Sequence, residues 1–97
     1  MHNLELEVTG KHGIHARPSA HLSKLFSTVK SNLGVDAYIN ENGMHCNTIL
    51  DIMTLTKAQG SYINLVLNGE RYQEAMDYIL NEVKDYLRHV TSSVSNV

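Results

Sequence analysis

The chain has 97 residues, of which 42% are hydrophobic and 19% charged, and this composition excludes an intrinsically disordered chain. Its 8 basic and 10 acidic residues give a formal net charge of -2, which argues against a general nucleic-acid binder, because such a protein needs a basic surface. The single cysteine, Cys46, excludes an intramolecular disulfide, and no apolar run approaches the roughly 18 residues that a membrane helix needs. The N-terminus lacks the pattern of a signal peptide. The sequence therefore predicts one small domain in the cytoplasm, with no membrane insertion.

Apolar periodicity divides the first half of the chain into a strand, a helix and a hairpin. Residues 4–8 alternate apolar and acidic side chains, as in a strand with one wet face. Over 18–33 apolar residues recur every three or four positions, which predicts an amphipathic helix that Gly34 ends. The predicted hairpin consists of strand 35–39, an Asn-Gly turn over 40–43 and strand 44–47.

The second half of the chain contains two further helices and one strand. Residues 48–57 are too apolar for a freely solvated helix, so we expect a short helix with an exposed hydrophobic side, ended near Gly60. Alternation predicts a strand over 62–67, and helical spacing predicts a last helix over about 72–89.

The predicted order of elements is β-α-β-β-α-β-α. The hairpin signals and the one-sided strands favour an α+β fold, with an antiparallel sheet whose helices cover one face. Residues 91–97 have neither periodicity nor bulk, so we expect a single domain over 1–90 and a loose C-terminal tail.

The residues suited to chemistry lie at 13–20, where the first loop meets the first helix. A helix start leaves backbone N–H groups unpaired and carries a partial positive charge, and both favour bound phosphate. His15 supplies a nucleophilic imidazole beside that position, and Arg17 supplies a cationic fork. Because proline disfavours helical geometry in the preceding residue, we expect the regular helix to begin at Pro18 and to leave His15 and Arg17 in a strained or turn-like start. The alternative is that His15 is only a capping or surface residue.

Three segments of the chain carry motifs of one family. The segment Gly-Ile-His-Ala-Arg-Pro-Ser-Ala at 13–20 resembles the active-site signature of the HPr family, the histidine-containing phosphocarriers of the bacterial phosphoenolpyruvate-dependent phosphotransferase system. Residues 47–55 resemble the regulatory-serine region of that family, and 57–60 the glycine-ended turn that follows it. The resemblance covers roughly residues 2–88. It implies an open-faced β-sandwich, with three helices on one face of a four-stranded antiparallel sheet.

The resemblance implies a phosphocarrier in bacterial sugar uptake, not an enzyme with a substrate pocket of its own. His15 would accept a phosphoryl group from phosphorylated enzyme I and pass it to the enzyme IIA domains of permeases. Arg17 would neutralise the phosphate, and the backbone N–H groups of Ala16 and Arg17 would form an anion cradle. No cofactor and no metal are implied. Two alternatives stay open: a regulatory paralogue in a nitrogen-related phosphotransferase branch, and an interaction module in which His15 is inert.

The resemblance also implies where partner proteins dock. In this family the partners bind the first helix and the short middle helix, and a carrier that meets several partners through one face is expected to be a monomer. The middle helix is therefore expected to expose its apolar residues. The expected docking residues are Ser19, Ala20, Ser23, Ile49, Leu50, Ile52 and Met53.

Three residues depart from the family's pattern. Thr48 falls where many members carry a serine that a kinase phosphorylates, so it is a candidate regulatory site for a kinase or phosphorylase, although a helix cap is the favoured interpretation. Asp51, one turn further on, would repel a phosphoryl group at Thr48. His12 is a candidate phosphate contact or proton partner of His15. A metal site shared by the two histidines is disfavoured, because no third ligand is visible nearby.

Overall fold

A computed structural model describes residues 1–90 of the chain. The predicted tail over 91–97 lies outside the described residues. Within the described range, no helix is long and apolar enough to cross a membrane. The elements in chain order are β1 (His2–Val8), α1 (Ala16–Leu33), β2 (Asp36–Glu41), β3 (Met44–Cys46), α2 (Ile49–Met53), β4 (Tyr62–Asn68), α3 (Tyr72–Glu82) and β5 (Leu87–His89).

The strands form one antiparallel sheet in the spatial order β3-β2-β4-β1-β5. In the central pair, Leu4 lies opposite Leu65 and Leu6 lies opposite Ile63. Because successive side chains of a strand point to opposite faces, the alternating apolar residues of β1 and β4 share one face and pack there with the helices in the core. The predicted open-faced α+β sandwich is confirmed, but the described residues contribute five strands to the sheet and not four.

The fifth strand replaces the end of the helix predicted over 72–89. Helix α3 ends at Glu82, and Val83 leaves the helix with φ -101° and ψ 9°. The chain then pairs with the free edge of β1, where Leu87 lies opposite Val8. Val90 extends this pairing, since its N–H donates to the Glu5 carbonyl oxygen at 2.9 Å. The prediction of a continuous helix was therefore wrong, because the open backbone groups of β1 offer residues 87–90 sheet hydrogen bonds.

The first helix begins two residues earlier than predicted. Ala16 and Arg17 already lie within α1, so Pro18 occupies the first turn and does not start the helix. Proline is tolerated there because its missing N–H would have had no intrahelical partner. The expected strained start at Arg17 is thus wrong. Gly34 ends α1 as predicted, with φ 67° and its N–H directed at the carbonyl oxygens of the last turn.

The short middle helix is shorter than the predicted 48–57. It spans Ile49–Met53 and is capped at its end by Thr54. Ile52 is fully buried and joins the core cluster, so it fixes α2 against the rest of the domain. The remaining apolar residues of α2 are exposed.

Candidate functional site

His15 is the N-cap of α1, and its exposed side chain makes no capping hydrogen bond. Its backbone is extended, with φ -108° and ψ -162°. The Ser19 N–H donates to the His15 carbonyl oxygen at 3.0 Å, so the N–H groups of Ala16 and Arg17 precede the hydrogen-bond ladder of the helix. The first turn holds no acidic residue that would offset the positive end of the helix. This junction therefore favours an anion beside His15.

A close backbone approach holds the segment that precedes His15. Gly13 has a φ of +68°, and a Cβ atom at this position would lie 2.2 Å from the Lys57 carbonyl oxygen. The Gly13 N–H donates to the Gly10 carbonyl oxygen at 3.0 Å, and the Ile14 N–H donates to the Lys57 carbonyl oxygen at 2.9 Å. Ile14 is buried in the core. The loop 57–60, whose sequence resembles the family's glycine-ended turn, thus supports the segment that carries His15.

Tyr86 holds the start of the same loop from the other side. Its carbonyl oxygen accepts hydrogen bonds from the Thr9 N–H at 2.9 Å and from the Gly10 N–H at 3.4 Å. Its hydroxyl is hydrogen bonded to His21 Nδ1 on α1, at 2.8 Å. Burial raises the pKa of the Tyr86 phenol, and the nearby Asp85 and Glu82 carboxylates raise it further. The phenol is therefore neutral at physiological pH, and Tyr86 links the loop, α1 and the approach to β5.

His12 is exposed on the loop and lies next to His15. The two ring centroids are 6.0 Å apart and the planes make an angle of 79°, so the edge of one imidazole faces the other. The structure thus places His12 beside His15, and Ala16 and Arg17 follow His15 in the first turn of α1. Among residues 1–90, no three histidine, cysteine, aspartate or glutamate side chains are grouped as a metal site would require.

The predicted docking residues divide into exposed and buried groups. On α2, Leu50 is 73% exposed, Ile49 43% and Met53 37%. On α1, which packs against α2, Ala20 is exposed and Ser23 is half-buried. We call these five residues the α1–α2 surface: Ala20, Ser23, Ile49, Leu50 and Met53.

Two predicted docking residues do not belong to this surface. Ile52 is 0% exposed, because it is the one residue of α2 that points into the core. Ser19 is also 0% exposed, and its hydroxyl has no hydrogen-bond partner. The expected exposure of both side chains was wrong. Five residues of helix are too few to show which apolar side chain is buried, and a serine in the first turn is polar enough to suggest a surface position.

Thr48 is the N-cap of α2. Its hydroxyl oxygen accepts a hydrogen bond from the Asp51 N–H at 3.1 Å, and its backbone is extended. The favoured interpretation of Thr48 as a helix cap is therefore confirmed. Thr48 is also exposed, and the Asp51 carboxylate lies in the first turn of the same helix.

Two supports of the site were missed by sequence reasoning. The contact between Lys57 and Ile14 and the contact between Tyr86 and Gly10 each join segments that lie far apart in the chain. The two-glycine loop at 9–13 signals a close backbone approach, but it does not say which residue approaches. Tyr86 lay near the end of a predicted helix, a position that gives no reason to expect its backbone carbonyl oxygen to reach the loop at 9–13.

Fold and site together define a small α+β protein with an exposed histidine at a helix start suited to an anion. The family model described as "PTS HPr component phosphorylation site" matches residues 3–85 of this chain. The chain therefore belongs to the HPr family of phosphocarrier proteins, which confirms the family predicted from the sequence.

Individual relatives agree with this assignment. The phosphocarrier protein HPr of Xylella fastidiosa (strain Temecula1) is 35% identical over 72 residues, which cover 74% of this chain and 79% of the relative. The HPr-like protein Crh of Bacillus subtilis is 29% identical over 83 residues, 84% of this chain and 93% of Crh. The crystal structure of HPr from Thermoanaerobacter tengcongensis superposes with a TM-score of 0.68 at 26% identity, covering 88% of this chain and 96% of that one.

Proposed function

We propose that this protein relays a phosphoryl group in bacterial sugar uptake. His15 accepts the group from phosphorylated enzyme I and passes it to an enzyme IIA domain in the cytoplasm. The observation that carries the proposal is the position of His15, exposed and without a capping hydrogen bond at the N-cap of an 18-residue helix.

The chemistry follows from the residues at the helix start. A lone pair on a neutral ring nitrogen of His15 attacks phosphorus, and the N–P bond forms as the bond between phosphorus and the donor breaks, with its electron pair staying on the donor. The N–H groups of Ala16 and Arg17 and the positive end of α1 then stabilise the phosphoryl oxygens. The Arg17 guanidinium adds a charge-assisted contact, and His12 adds a further phosphate contact.

The exposure of the site suits a carrier better than an enzyme. His15, Ala16 and Arg17 are all exposed, so a phosphoryl group on His15 stays accessible to a second protein. The α1–α2 surface lies on the two helices where the resemblance places the partners, and its apolar side chains suit transient docking. Enzyme I and enzyme IIA bind this surface of the monomer one at a time.

A regulatory role for Thr48 is a weaker part of the proposal. Its hydroxyl is exposed and reachable by a kinase, and a matching phosphorylase would reverse the reaction. However, that oxygen already caps α2, and the Asp51 carboxylate in the same turn disfavours added negative charge.

A second candidate is a regulatory HPr paralogue, such as one in a nitrogen-related branch. The similarity to Crh proteins of Bacillus subtilis and Halalkalibacterium halodurans, which are named HPr-like and not phosphocarriers, favours it. In that case enzyme I still phosphorylates His15, but enzyme IIA domains of sugar permeases do not receive the group.

The test is the intact mass after incubation with phosphoenolpyruvate and enzyme I of the same organism. We expect one acid-labile phosphoryl group on the protein, none on His15→Ala, and one on His45→Ala, which removes an exposed histidine of β3 as a matched control. Arg17→Ala is expected to accept the group about 10- to 100-fold more slowly, because a charge-assisted hydrogen bond is lost. No mass gain, or a gain that survives in His15→Ala, would favour an interaction module in which His15 is inert.

A further inference from the structure

The His12 imidazole can do more than contact a phosphate, because it can also bind a proton and become cationic. It is an exposed titratable ring whose centroid lies 6.0 Å from that of His15. Histidine is the side chain that most readily gains and loses a proton near neutral pH, and the added proton makes the ring cationic. A side-chain amide or hydroxyl at the same position would not change its charge there.

The spacing of the two rings is set by the backbone. Gly13, between them in the chain, is fixed by its hydrogen bond to Gly10 and by the close approach of the Lys57 carbonyl oxygen. Ile14 is anchored in the core. The two histidines therefore project from the ends of one short turn that is held at three points, and their proximity is a property of the folded loop.

Cations lie close to the pair along the chain, and the Asp85 and Glu82 carboxylates lie near Tyr86, which supports the start of the same loop. Lys11 precedes His12 on the loop, Arg17 follows His15 on α1, and Lys57 belongs to the segment packed beneath the turn. Lys57 Nζ is 3.1 Å from Glu41 Oε2, so that ammonium already has a partner. A phosphoryl group on His15 would bring a large negative charge to this cluster. Because the two ring centroids are 6.0 Å apart, the new charge would lie within about one Debye length of His12, roughly 8 Å at physiological salt.

We propose that His12 takes up a proton when His15 is phosphorylated, so that phosphoryl acceptance is coupled to pH. The inference rests on the proposed function of His15. One PO₃⁻ unit moves from the donor to a His15 ring nitrogen, the donor keeps the electron pair of the broken bond, and bulk water supplies the proton that His12 binds. The resulting imidazolium faces the phosphoryl oxygens and joins Arg17 in neutralising them.

The coupling has a defined direction. The phosphorylated protein binds more protons than the unmodified one, so lowering the pH favours the phosphorylated form by linkage. Lowering the pH therefore makes the carrier hold its phosphoryl group more firmly, and raising the pH makes it release the group to the next acceptor more readily.

The test compares the His12 titration in the unmodified and phosphorylated proteins by imidazole NMR. Phosphoramidate, a chemical donor that needs no partner protein, installs the phosphoryl group, and the species modified only on His15 is isolated. We expect the pH midpoint of His12 protonation to rise by about 0.5–1 unit, as the Coulomb energy of charges about 6 Å apart in a largely aqueous setting requires. The midpoint of His45, on β3, is the internal control and is expected to stay in place. A midpoint for His12 that moves by less than about 0.2 unit, or by no more than that of His45, overturns the inference.

A second variant separates proton uptake from passive contact. In His12→Asn the side chain can still donate a hydrogen bond, but it cannot gain charge. Over the whole range from pH 6 to 8, the equilibrium between the protein and a phosphodonor is expected to shift at most about 3- to 10-fold more in the original protein than in His12→Asn, which is the limit that a midpoint shift of 0.5–1 unit sets. Equal pH dependence in the two proteins contradicts the coupling.

The two proposals fail in different ways. Modification of His15 by phosphoramidate but not by enzyme I overturns the carrier function and leaves the coupling testable on the chemically modified protein. Resistance of His15 to both donors overturns both proposals.

Discussion

Gly13 holds the turn before His15 in a conformation that a side chain would disrupt. Its φ is +68°, and the Lys57 carbonyl oxygen occupies the space that a Cβ would need. Gly34 offers a matched comparison, because its φ is +67° and nothing lies within 4 Å of its Cβ position. A side chain at either position would strain the left-handed backbone, but only at position 13 would it also meet a backbone oxygen.

Gly13→Ala is therefore expected to destabilise the protein more than Gly34→Ala. The latter adds the left-handed strain alone, about 1–2 kcal/mol. The former adds a backbone clash and is expected to lower the free energy of unfolding by more than about 3 kcal/mol. Urea unfolding of the two variants measures the difference, and equal losses would show that the Gly13–Lys57 approach is not tight in solution.

The buried phenol of Tyr86 is expected to make the folded protein lose stability at high pH. Burial, with Asp85 and Glu82 adding to it, raises the pKa of its phenol, so the folded state favours the neutral form. An unfolded tyrosine ionises near pH 10, so this contribution is complete below about pH 10 and is lost as the pH rises above it. Tyr86→Phe has no proton to lose, so its free energy of unfolding is expected to fall less steeply between pH 10 and 11.

The same variant has a second consequence at neutral pH. It removes the hydrogen bond to His21, which is expected to lower stability by about 0.5–1.5 kcal/mol at pH 7. Tyr78→Phe, which alters an exposed tyrosine of α3, is the control and is expected to keep the steep loss. Denaturant unfolding across the pH range checks both, and parallel curves for the original protein and Tyr86→Phe would contradict the account.

At the scale of elements, α2 combines one buried side chain with exposed apolar side chains within about a turn and a half of helix. Ile52 is buried and Leu50 is 73% exposed, although both were expected to dock partners. The first side chain fastens the helix to the core, and the second remains available to another protein.

Ile52→Ala is thus expected to affect mainly stability, and Leu50→Ala mainly the binding of a partner. Ile52→Ala removes buried volume and is expected to lower the free energy of unfolding by about 2–5 kcal/mol. Leu50→Ala is expected to change it by less than about 0.5 kcal/mol and to weaken binding of enzyme I. Thermal unfolding and calorimetric titration with enzyme I measure the two effects. Undiminished enzyme I binding by Leu50→Ala would place the docking surface elsewhere.

How well an element could be predicted depended on whether its determinants were local. Helix α1 was recognised because an 18-residue amphipathic pattern ends at a glycine, and only its start was misplaced. Strand β5 was missed because Val83 and Leu87 continue the four-residue spacing of the buried Ala75 and Ile79, so the helical pattern of α3 runs on past the end of the helix. The deciding interaction is the pairing of Leu87 with Val8, which no local pattern records.

The residues of the candidate site also differ in whether local sequence could predict them. His12, His15, Ala16 and Arg17 lie within one turn and the start of one helix, so the sequence alone brings them together. The supports from Lys57 and Tyr86 depend on how β1, β4 and β5 are arranged, and they became visible only in the folded chain.

At the scale of the whole molecule, the sheet connects both ends of the described chain to the site. β1 runs between β4 and β5 and leads directly into the loop that carries His12. The loop before β4 supports that segment through Lys57, and the segment before β5 supports it through Tyr86. The Arg88 guanidinium pairs with the Glu7 carboxylate across β1 and β5. The geometry at His15 thus depends on β1, β4 and β5 together, whereas the His15 side chain itself is exposed.

The most direct test of the account is transfer from the phosphorylated protein to an enzyme IIA domain. Protein phosphorylated on His15 is separated from enzyme I and phosphoenolpyruvate and mixed with the enzyme IIA domain of a sugar permease from the same organism, and the intact masses of both proteins are followed over time. The account predicts that the phosphoryl group leaves His15 and appears on enzyme IIA, and that Leu50→Ala slows the exchange. Retention of the group on His15, or its release as inorganic phosphate while enzyme IIA gains no mass, would contradict the relay.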